Sequence, residues 1–181
     1  MNIPAVARMG VSYARPGWHV ALDVVVEDWS TFKDVVIDID DDESLLVLGV
    51  ASEVVIQKEF RQASSVRLGG AKSLGEDWKV MGGYFYETSA VPDETLGVDS
   101  IDADKHGVSA GVGYTMDAFG YTMGALTLSS AYSFVSLADR TITNSQVKQL
   151  APFVPEADYV VGNGTYSGQY HMLSVALLFR Y

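Results

Sequence analysis

Apolar residues occupy every second position in seven separate stretches of this sequence. The stretches cover residues 7–14, 18–27, 65–69, 78–87, 107–116, 126–134 and 173–181. Because successive side chains of a β-strand point to opposite sides, this period predicts strands with one apolar face and one small or polar face. In the clearest stretch, residues 107–116, valine, alanine, tyrosine and methionine alternate with glycine, serine and threonine. The sequence therefore predicts an all-β fold.

The connections between these strands alternate in length. The short ones are Pro16-Gly17, 74–76 and 118–120, and the long ones are 28–60, 88–104 and 138–165. Outer-membrane barrels have short turns at one end and long loops at the other, whereas a soluble sandwich or lipocalin-like barrel has no reason to sort its loops. Aromatic residues near both strand ends also fit two interfacial girdles. We expect about seven antiparallel transmembrane β-barrel strands.

The turns also predict which residues face each other across neighbouring strands. A two-residue turn at Pro16-Gly17 and three-residue turns at 74–76 and 118–120 fix the register. The predicted partners are Arg15 with Trp18, Tyr13 with Val20, Met9 with Val24, Leu68 with Gly82, and Tyr114 with Gly124. Each pairing keeps the apolar residues of the two strands on one face.

The first long connection contains two further apolar stretches, residues 35–39 and 45–56, on either side of the acidic residues 40–43. We expect two strands that continue beyond the membrane and meet in an acidic tip. A mobile loop is the alternative.

Composition excludes several classes of protein. The net charge is −11 and the few cations are scattered, so a nucleic-acid partner is not expected. No stretch approaches the roughly 18 consecutive apolar residues of a membrane helix, which argues against an inner-membrane protein. The amino terminus has neither the basic start nor the apolar core of an export signal, so either the protein stays inside the cell or its front is missing.

The residues that carry chemistry in enzymes do not form a recognisable constellation. His19, His106 and His171 lie on different predicted strands, and the chain has no cysteine. Asp102 and Asp104 beside His106 are possible metal ligands, but three such residues in a loop define no geometry, and a solvated acidic loop is the simpler interpretation. We therefore expect no enzyme activity, no bound metal and no cofactor.

Several short segments, in order and spacing, resemble the FadL/TodX family of outer-membrane transporters for long-chain fatty acids and aromatic hydrocarbons. They are Ile3-Pro4-Ala5, Asp28-Trp29-Ser30-Thr31-Phe32, Val66-Arg67-Leu68-Gly69-Gly70, Ser89-Ala90-Val91-Pro92-Asp93-Glu94, Asp102-Ala103-Asp104-Lys105-His106, Gly111-Val112-Gly113-Tyr114 and Phe179-Arg180-Tyr181. Phe60 stands where the family commonly has tryptophan.

The resemblance implies a barrel of about fourteen strands with a plug formed by the amino-terminal part of the protein. Seven strands are half of that number. Residues 1–181 are therefore expected to be a carboxyl-terminal barrel segment without a plug domain, whose partner is the missing amino-terminal half.

Charged residues on the small-residue side of the predicted strands would face the lumen. Arg67 or Lys79 is a candidate for binding a ligand carboxylate, with Met81 and Phe85 touching its chain. The alternative is a structural ion-pair lattice. The residues of this lattice are Arg8, Asp23, Glu27, Glu87 and Arg180.

The function expected from the resemblance is a multi-pass segment of a bacterial outer-membrane channel for hydrophobic molecules. The alternatives are a small outer-membrane barrel enzyme or adhesin and a soluble lipid-binding barrel. Expected partners are outer-membrane lipid, lipopolysaccharide bridged by divalent cations to the acidic segments 40–43 and 93–104, and the barrel-insertion machinery. That machinery would recognise the terminal strand ending at Tyr181, unless Tyr181 is only an interfacial anchor.

Overall fold

A computed structural model describes residues 3–38, 53–117, 124–148 and 159–180. This part of the chain consists of β-strands and two short 3-10 turns, Trp29–Thr31 and Asp93–Thr95. The strands are β1 (Ala5–Arg15), β2 (Trp18–Asp28), β3 (Asp34–Asp38), β4 (Glu53–Gln57), β5 (Gln62–Leu74), β6 (Trp78–Glu87), β7 (Lys105–Asp117), β8 (Ala125–Leu137), β9 (Arg140–Ile142), β10 (Gly164–Tyr166) and β11 (Gln169–Arg180). None of the described helical segments has the length and apolar character needed to cross a membrane.

Seven of these strands form one antiparallel sheet in the order β1-β2-β5-β6-β7-β8-β11. Neighbours in the sheet are neighbours along the chain, apart from the short strands in the long connections. This arrangement confirms the predicted all-β antiparallel fold and the predicted number of strands. Strands β1 and β11 are the two edges of the described sheet.

The register between β1 and β2 is the one that the Pro16-Gly17 turn predicts. Arg15 faces Trp18, and Met9 faces Val24. Gly17 has a φ of +84°, which suits the third position of a type II turn after proline. A two-residue turn permits a single register, so the predicted register was correct along the whole of β1 and β2.

The register predicted for Leu68 was wrong, since Leu68 faces Tyr84 and Gly82 faces Gly70. The turn consists of residues 75–77 and therefore begins one residue later than predicted, with Gly75 supplying a φ of +72°. When a turn moves by one residue along the chain, the residue that faces any given position changes by two positions. The faces of both strands are therefore unchanged, because side chains alternate with a period of two.

The register predicted for Tyr114 was also wrong. Tyr114 faces Leu128, because β7 ends at Asp117 and β8 begins at Ala125. The predicted three-residue turn at 118–120 falls on residues that lie outside the described part of the chain. Tyr114 packs its ring against Trp78, with 4.7 Å between the ring centroids.

The first long connection contains the pair of strands that its sequence predicts. Strand β3 pairs with β4 in antiparallel register, from Asp34 opposite Gln57 to Asp38 opposite Glu53. This pair forms a two-stranded ladder of its own. The acidic tip predicted at residues 40–43 lies outside the described residues.

The two faces of the main sheet differ sharply in composition. The apolar face includes Met9, Val11, Val20, Leu22, Val24, Val66, Leu68, Val80, Tyr84, Val108, Val112, Leu128, Tyr132, Leu173, Val175 and Leu177. Its large side chains are exposed, from 37% at Val80 to 80% at Met9. The small-residue face includes Ser12, Ala21, Gly69, Gly83, Ser109, Gly111, Gly113, Ser129, Ala131 and Ser133. An apolar exterior with a polar or small interior is the arrangement of membrane barrels and the reverse of a soluble one.

A buried hydrophobic cluster lies outside the main sheet, among the long connections. Leu96 and Ile142 are almost completely buried, together with Val91 and Tyr166, and Phe60 packs against them. We call this region the loop cap; it consists of residues 58–60, 88–104, 138–148 and 159–168. Strands β9 and β10 pair within it, with Ile142 opposite Gly164. The loop cap is thus a small packed unit at the long-connection end of the strands.

Candidate ligand site

The small-residue face carries a groove beside Arg67. Arg67 on β5 lies directly opposite Asp23 on β2 and Phe85 on β6. The groove has a volume of about 380 Å³. Its walls include Asp23, Arg67, Phe85, Gly107, Val135 and Met172. A guanidinium group, an aromatic ring and aliphatic side chains therefore meet in one place.

The position of Phe85 depends on a glycine in the next strand. Phe85 faces Gly107 on β7, and a Cβ atom added to Gly107 would lie 2.0 Å from Cε1 of the Phe85 ring. The ring therefore covers the bare backbone of Gly107, an arrangement that stabilises glycines in sheets. This packing keeps the ring against the wall of the groove.

Arg67 has weak partners in this structure. Its Nε donates to Ser65 Oγ at 3.3 Å, and a terminal guanidinium nitrogen donates to Glu87 Oε2 at 3.4 Å. The Glu87 carboxylate is shared, because Lys105 Nζ lies 3.1 Å from its other oxygen. The Arg67 side chain is 44% exposed. A ligand carboxylate can therefore reach the guanidinium without breaking a short ion pair.

Lys79 and Met81 lie on the same face but farther toward the short turns. Lys79 faces Gly113, and Met81 faces Gly111. They are six and four residues along β6 from Phe85, which corresponds to roughly 20 Å and roughly 13 Å at the rise of a β-strand. The structure brings Arg67 and Phe85 together, but it does not bring Lys79 or Met81 into the same groove.

The residues expected in an ion-pair lattice separate into different groups. Arg8 forms an ion pair with Asp23 at 2.6 Å. Glu27 instead accepts a hydrogen bond from Trp29 Nε1 at 2.9 Å. Arg180, opposite Ala125 near the end of β11, has no ion pair within the described residues. Glu87 forms its ion pairs with Arg67 and Lys105.

Sequence reasoning missed the residues that organise the loop cap. Arg140 donates to the Asp93 carboxylate at 2.8 Å, to Ser89 Oγ at 3.0 Å and to the carbonyl oxygens of Asp102 and Val91 at 3.0 and 2.7 Å. A single guanidinium group therefore ties residues 89–102 to β9. The available signal was a lone arginine near the start of the third long connection, but nothing in the sequence fixes which carbonyl groups it contacts.

Asp102 and Asp104 are partly buried and paired with other side chains, so the prediction that they belong to a solvated acidic loop was wrong. Asp104 accepts hydrogen bonds from the Tyr86 hydroxyl at 2.6 Å and from the Ser89 N–H at 2.8 Å, and these bonds, the first above all, hold the pKa of Asp104 below its usual range. The pKa of Asp99 is also lowered, chiefly because the buried Lys58 ammonium donates to it.

The three residues considered as metal ligands point to different partners. Asp102 contacts Lys105 Nζ at 3.0 Å, Asp104 contacts Tyr86, and His106 Nδ1 contacts the Tyr84 hydroxyl at 2.7 Å. Among the residues that the structure describes, no group of three or more acidic or histidine side chains is placed to share a metal ion.

The chain is similar to a known protein family and to solved structures. The model of the family described as "Outer membrane protein transport protein (OMPP1/FadL/TodX)" matches residues 1–180. The crystal structure of a Pseudomonas aeruginosa FadL homologue matches with a TM-score of 0.67 and 17% identity, over 96% of this chain and 34% of that one. The chain thus spans about a third of the length of that structure. A comparison with curated protein sequences gave no significant match.

The structural match supports the fold, since 17% identity carries no more than that. The family match confirms the resemblance stated from the sequence, and the family is described as one of transport proteins. The description of the family also places its members in the outer membrane. The chain therefore belongs to the family of outer membrane protein transport proteins that includes FadL and TodX.

Proposed function

We propose that residues 1–181 form a segment of the wall of a bacterial outer-membrane channel, and that the channel takes up hydrophobic molecules such as long-chain fatty acids or aromatic hydrocarbons. The observation that carries this proposal is the groove in which Arg67 faces Phe85. The guanidinium group would bind a carboxylate, and Phe85, Val135 and Met172 would contact the apolar chain. Binding of this kind requires no covalent step.

The rest of the small-residue face supports the same function. On β5, β6 and β7, the wall between Arg67 and Lys79 consists of glycine, alanine and serine together with Met81. Short side chains leave the lumen wide and give a hydrophobic molecule few strong contacts. Lys79 and Met81 then lie along the path of the ligand rather than in its first binding site.

The exposed apolar face argues against a soluble lipid-binding barrel, because such a protein would put these side chains inside. In a bilayer, the unpaired backbone groups of edge strands are costly. We infer that β1 and β11 pair with further strands of the same barrel. The insertion machinery would recognise β11, although Tyr181 itself lies outside the described residues.

The acidic groups limit where lipopolysaccharide could be bridged by divalent cations. Three acidic residues of the loop cap already have cationic or hydroxyl partners, which are Arg140 for Asp93, Lys105 for Asp102 and Tyr86 for Asp104. The segment 40–43, which is outside the described residues, is therefore the better candidate for such bridging.

Ligand binding to the purified protein tests the role of Arg67. Replacement of Arg67 by glutamine should weaken the binding of a long-chain fatty acid by roughly 10- to 100-fold, the cost of a charge-assisted hydrogen bond of about 1.5–3 kcal/mol. Binding of an uncharged hydrocarbon of similar length should change little. Arg180→Gln, on the same face but outside the groove, is the matched control. Equal loss in both variants, or no loss in Arg67→Gln, would contradict the assignment.

A further inference from the structure

The edge of the apolar face next to the loop cap carries the same arrangement twice. On β6 and β7, Tyr86 lies directly opposite His106. On β8 and β11, Phe134 lies directly opposite His171. The two imidazole rings pack against these aromatic rings, with centroid distances of 4.8 and 5.0 Å.

Each histidine is also held by a tyrosine two residues before the aromatic residue that it faces. The Tyr84 hydroxyl lies 2.7 Å from His106 Nδ1, and the Tyr132 hydroxyl lies 2.6 Å from His171 Nδ1. The hydrogen bond occupies Nδ1, and the aromatic ring covers one side of the imidazole. Within the described residues, neither Nε2 atom has a hydrogen-bond partner. Each histidine therefore presents one oriented and unused nitrogen at the surface.

The opposite edge of the apolar face is built differently. There, Tyr13 packs against Trp18 and Trp78 packs against Tyr114, with ring centroids 5.3 and 4.7 Å apart. The chain has three histidines, and the third, His19, faces Ala14 and Ala71 on the small-residue face. Unused imidazole nitrogens thus occur on the apolar face at one edge only.

The depth of the two histidines suggests their ligand. They lie where the apolar face ends, which in a bilayer is the level of the lipid headgroups. Phosphate oxygens are the strong hydrogen-bond acceptors at that level. In the neutral ring Nε2 carries a hydrogen when Nδ1 accepts from the tyrosine hydroxyl, and in the protonated ring both nitrogens carry one. Nε2 can therefore donate to a phosphate oxygen in both forms. His106 and His171 are two strands apart across the sheet. His171 is also displaced by two residues along its strand from the position level with His106, and the two displacements together correspond to roughly 12 Å. Two phosphate groups of one lipid layer fit this spacing.

We propose that His106 and His171, each oriented by its tyrosine, bind phosphate groups of membrane lipids through Nε2. This inference rests on the proposed function only in placing the apolar face against lipid. It assigns to that face a specific headgroup contact in addition to its contact with acyl chains.

Nitrogen NMR of the protein labelled with 15N-histidine and purified in detergent tests the proposal. A short-chain phosphatidic acid should shift the Nε2 signals of His106 and His171 in a saturable way and leave His19 unchanged. The diacylglycerol with the same chains, which lacks the phosphate, should have no such effect. Inorganic phosphate at the same concentration should have none either. Unchanged Nε2 signals, an equal response to the diacylglycerol, or an equal response to inorganic phosphate would overturn the proposal.

Variants separate the positioning tyrosines from the ligating histidines. Tyr84→Phe and Tyr132→Phe keep the rings but remove the hydrogen bonds, and together they should raise the lipid concentration at half-saturation about fivefold. Tyr114→Phe, at the other edge of the apolar face, is the control and should have no effect. An equal effect of Tyr114→Phe would contradict the proposed orientation by hydrogen bonding.

The double variant His106→Phe, His171→Phe keeps two aromatic rings at the membrane edge and should abolish the response to phosphatidic acid. It should bind a long-chain fatty acid as well as the unaltered protein does, because the groove beside Arg67 is on the other face of the sheet. That second measurement verifies the fold of the variant. It also keeps the two proposals apart, since a protein that binds no fatty acid can still give the lipid-dependent histidine shifts.

Discussion

At Gly107, the sheet has room for a hydrogen atom and for nothing larger, because the Phe85 ring lies over the backbone. Gly107→Ala should therefore force the ring out of its position, at a cost of about 1–3 kcal/mol for overpacking. The same change at Gly69 is a matched control, since the nearest atom to an added Cβ there is a carbonyl oxygen at 3.7 Å.

Thermal unfolding in detergent, followed by the change in gel mobility, measures this difference. Gly107→Ala should unfold at a lower temperature than Gly69→Ala and should bind fatty acid less tightly, because Phe85 forms a wall of the groove. Equal stability of the two variants would show that the ring does not depend on Gly107.

The carboxyl groups of Asp99 and Asp104 make the loop cap sensitive to acid. Their pKa values are lowered in the folded protein, by Lys58 for Asp99 and by the Tyr86 hydroxyl for Asp104. A lowered pKa contributes stability that is present above the unfolded value of about 3.9 and is lost as the pH falls through the folded value. The loop cap should therefore open below about pH 4.

Cleavage by pepsin between pH 2 and 5 follows this opening. Residues 88–104 should become susceptible as the pH falls, while the main sheet stays intact. Tyr86→Phe removes the hydrogen bond that most lowers the pKa of Asp104, so its susceptibility should begin at a higher pH. Susceptibility that does not depend on pH would contradict this role of the two carboxylates.

At the scale of elements, Arg140 connects β9 to the loop that precedes β7. Arg140→Gln should leave the carbonyl oxygens of Val91 and Asp102 without their donor, at a cost of about 1–3 kcal/mol for each buried unsatisfied group. Arg61→Gln is the control, because its ion pair with Glu94 is 3.5 Å long and mostly exposed and such pairs contribute about 0–1 kcal/mol.

Limited proteolysis at neutral pH compares the two variants. Arg140→Gln should be cut within residues 88–104 several times faster than the unaltered protein, whereas Arg61→Gln should resemble it. The strands of the main sheet should resist in both cases. Equal rates in the two variants would mean that the guanidinium of Arg140 does not hold the loop cap together.

The strands themselves show what a sequence can and cannot predict. The period of two identified all seven strands of the main sheet, because alternation is a local property of the chain. The turn at Pro16-Gly17 also fixed the register of β1 and β2. The glycine at position 75 could begin the turn or stand second in it, and only the first placement, which the structure adopts, gives Leu68 its partner Tyr84.

At the scale of the molecule, the sequence predicted the membrane barrel fold from the alternation and from the sorting of loop lengths. It did not predict the loop cap, because Leu96 comes from one long connection, Ile142 and Tyr166 come from another, and the three follow no period. The sequence placed Arg67, Lys79, Met81 and Phe85 on one face, because alternation along a strand decides the face. The predicted register put Arg67 opposite Gly83, whereas the structure puts it opposite Phe85. Distance along the strand separates both residues from Lys79.

We infer that the apolar face of the main sheet contacts lipid and that the small-residue face contacts water. The chain has no cysteine, so spin labels can be attached to single cysteines introduced at Val108 and Ser109 of β7 and at Leu128 and Ser129 of β8. In bilayers, labels at Val108 and Leu128 should collide mainly with oxygen, which concentrates in hydrocarbon. Labels at Ser109 and Ser129 should collide mainly with a water-soluble nickel chelate. Loss of this alternation, or its reversal, would contradict the placement of the apolar face against lipid.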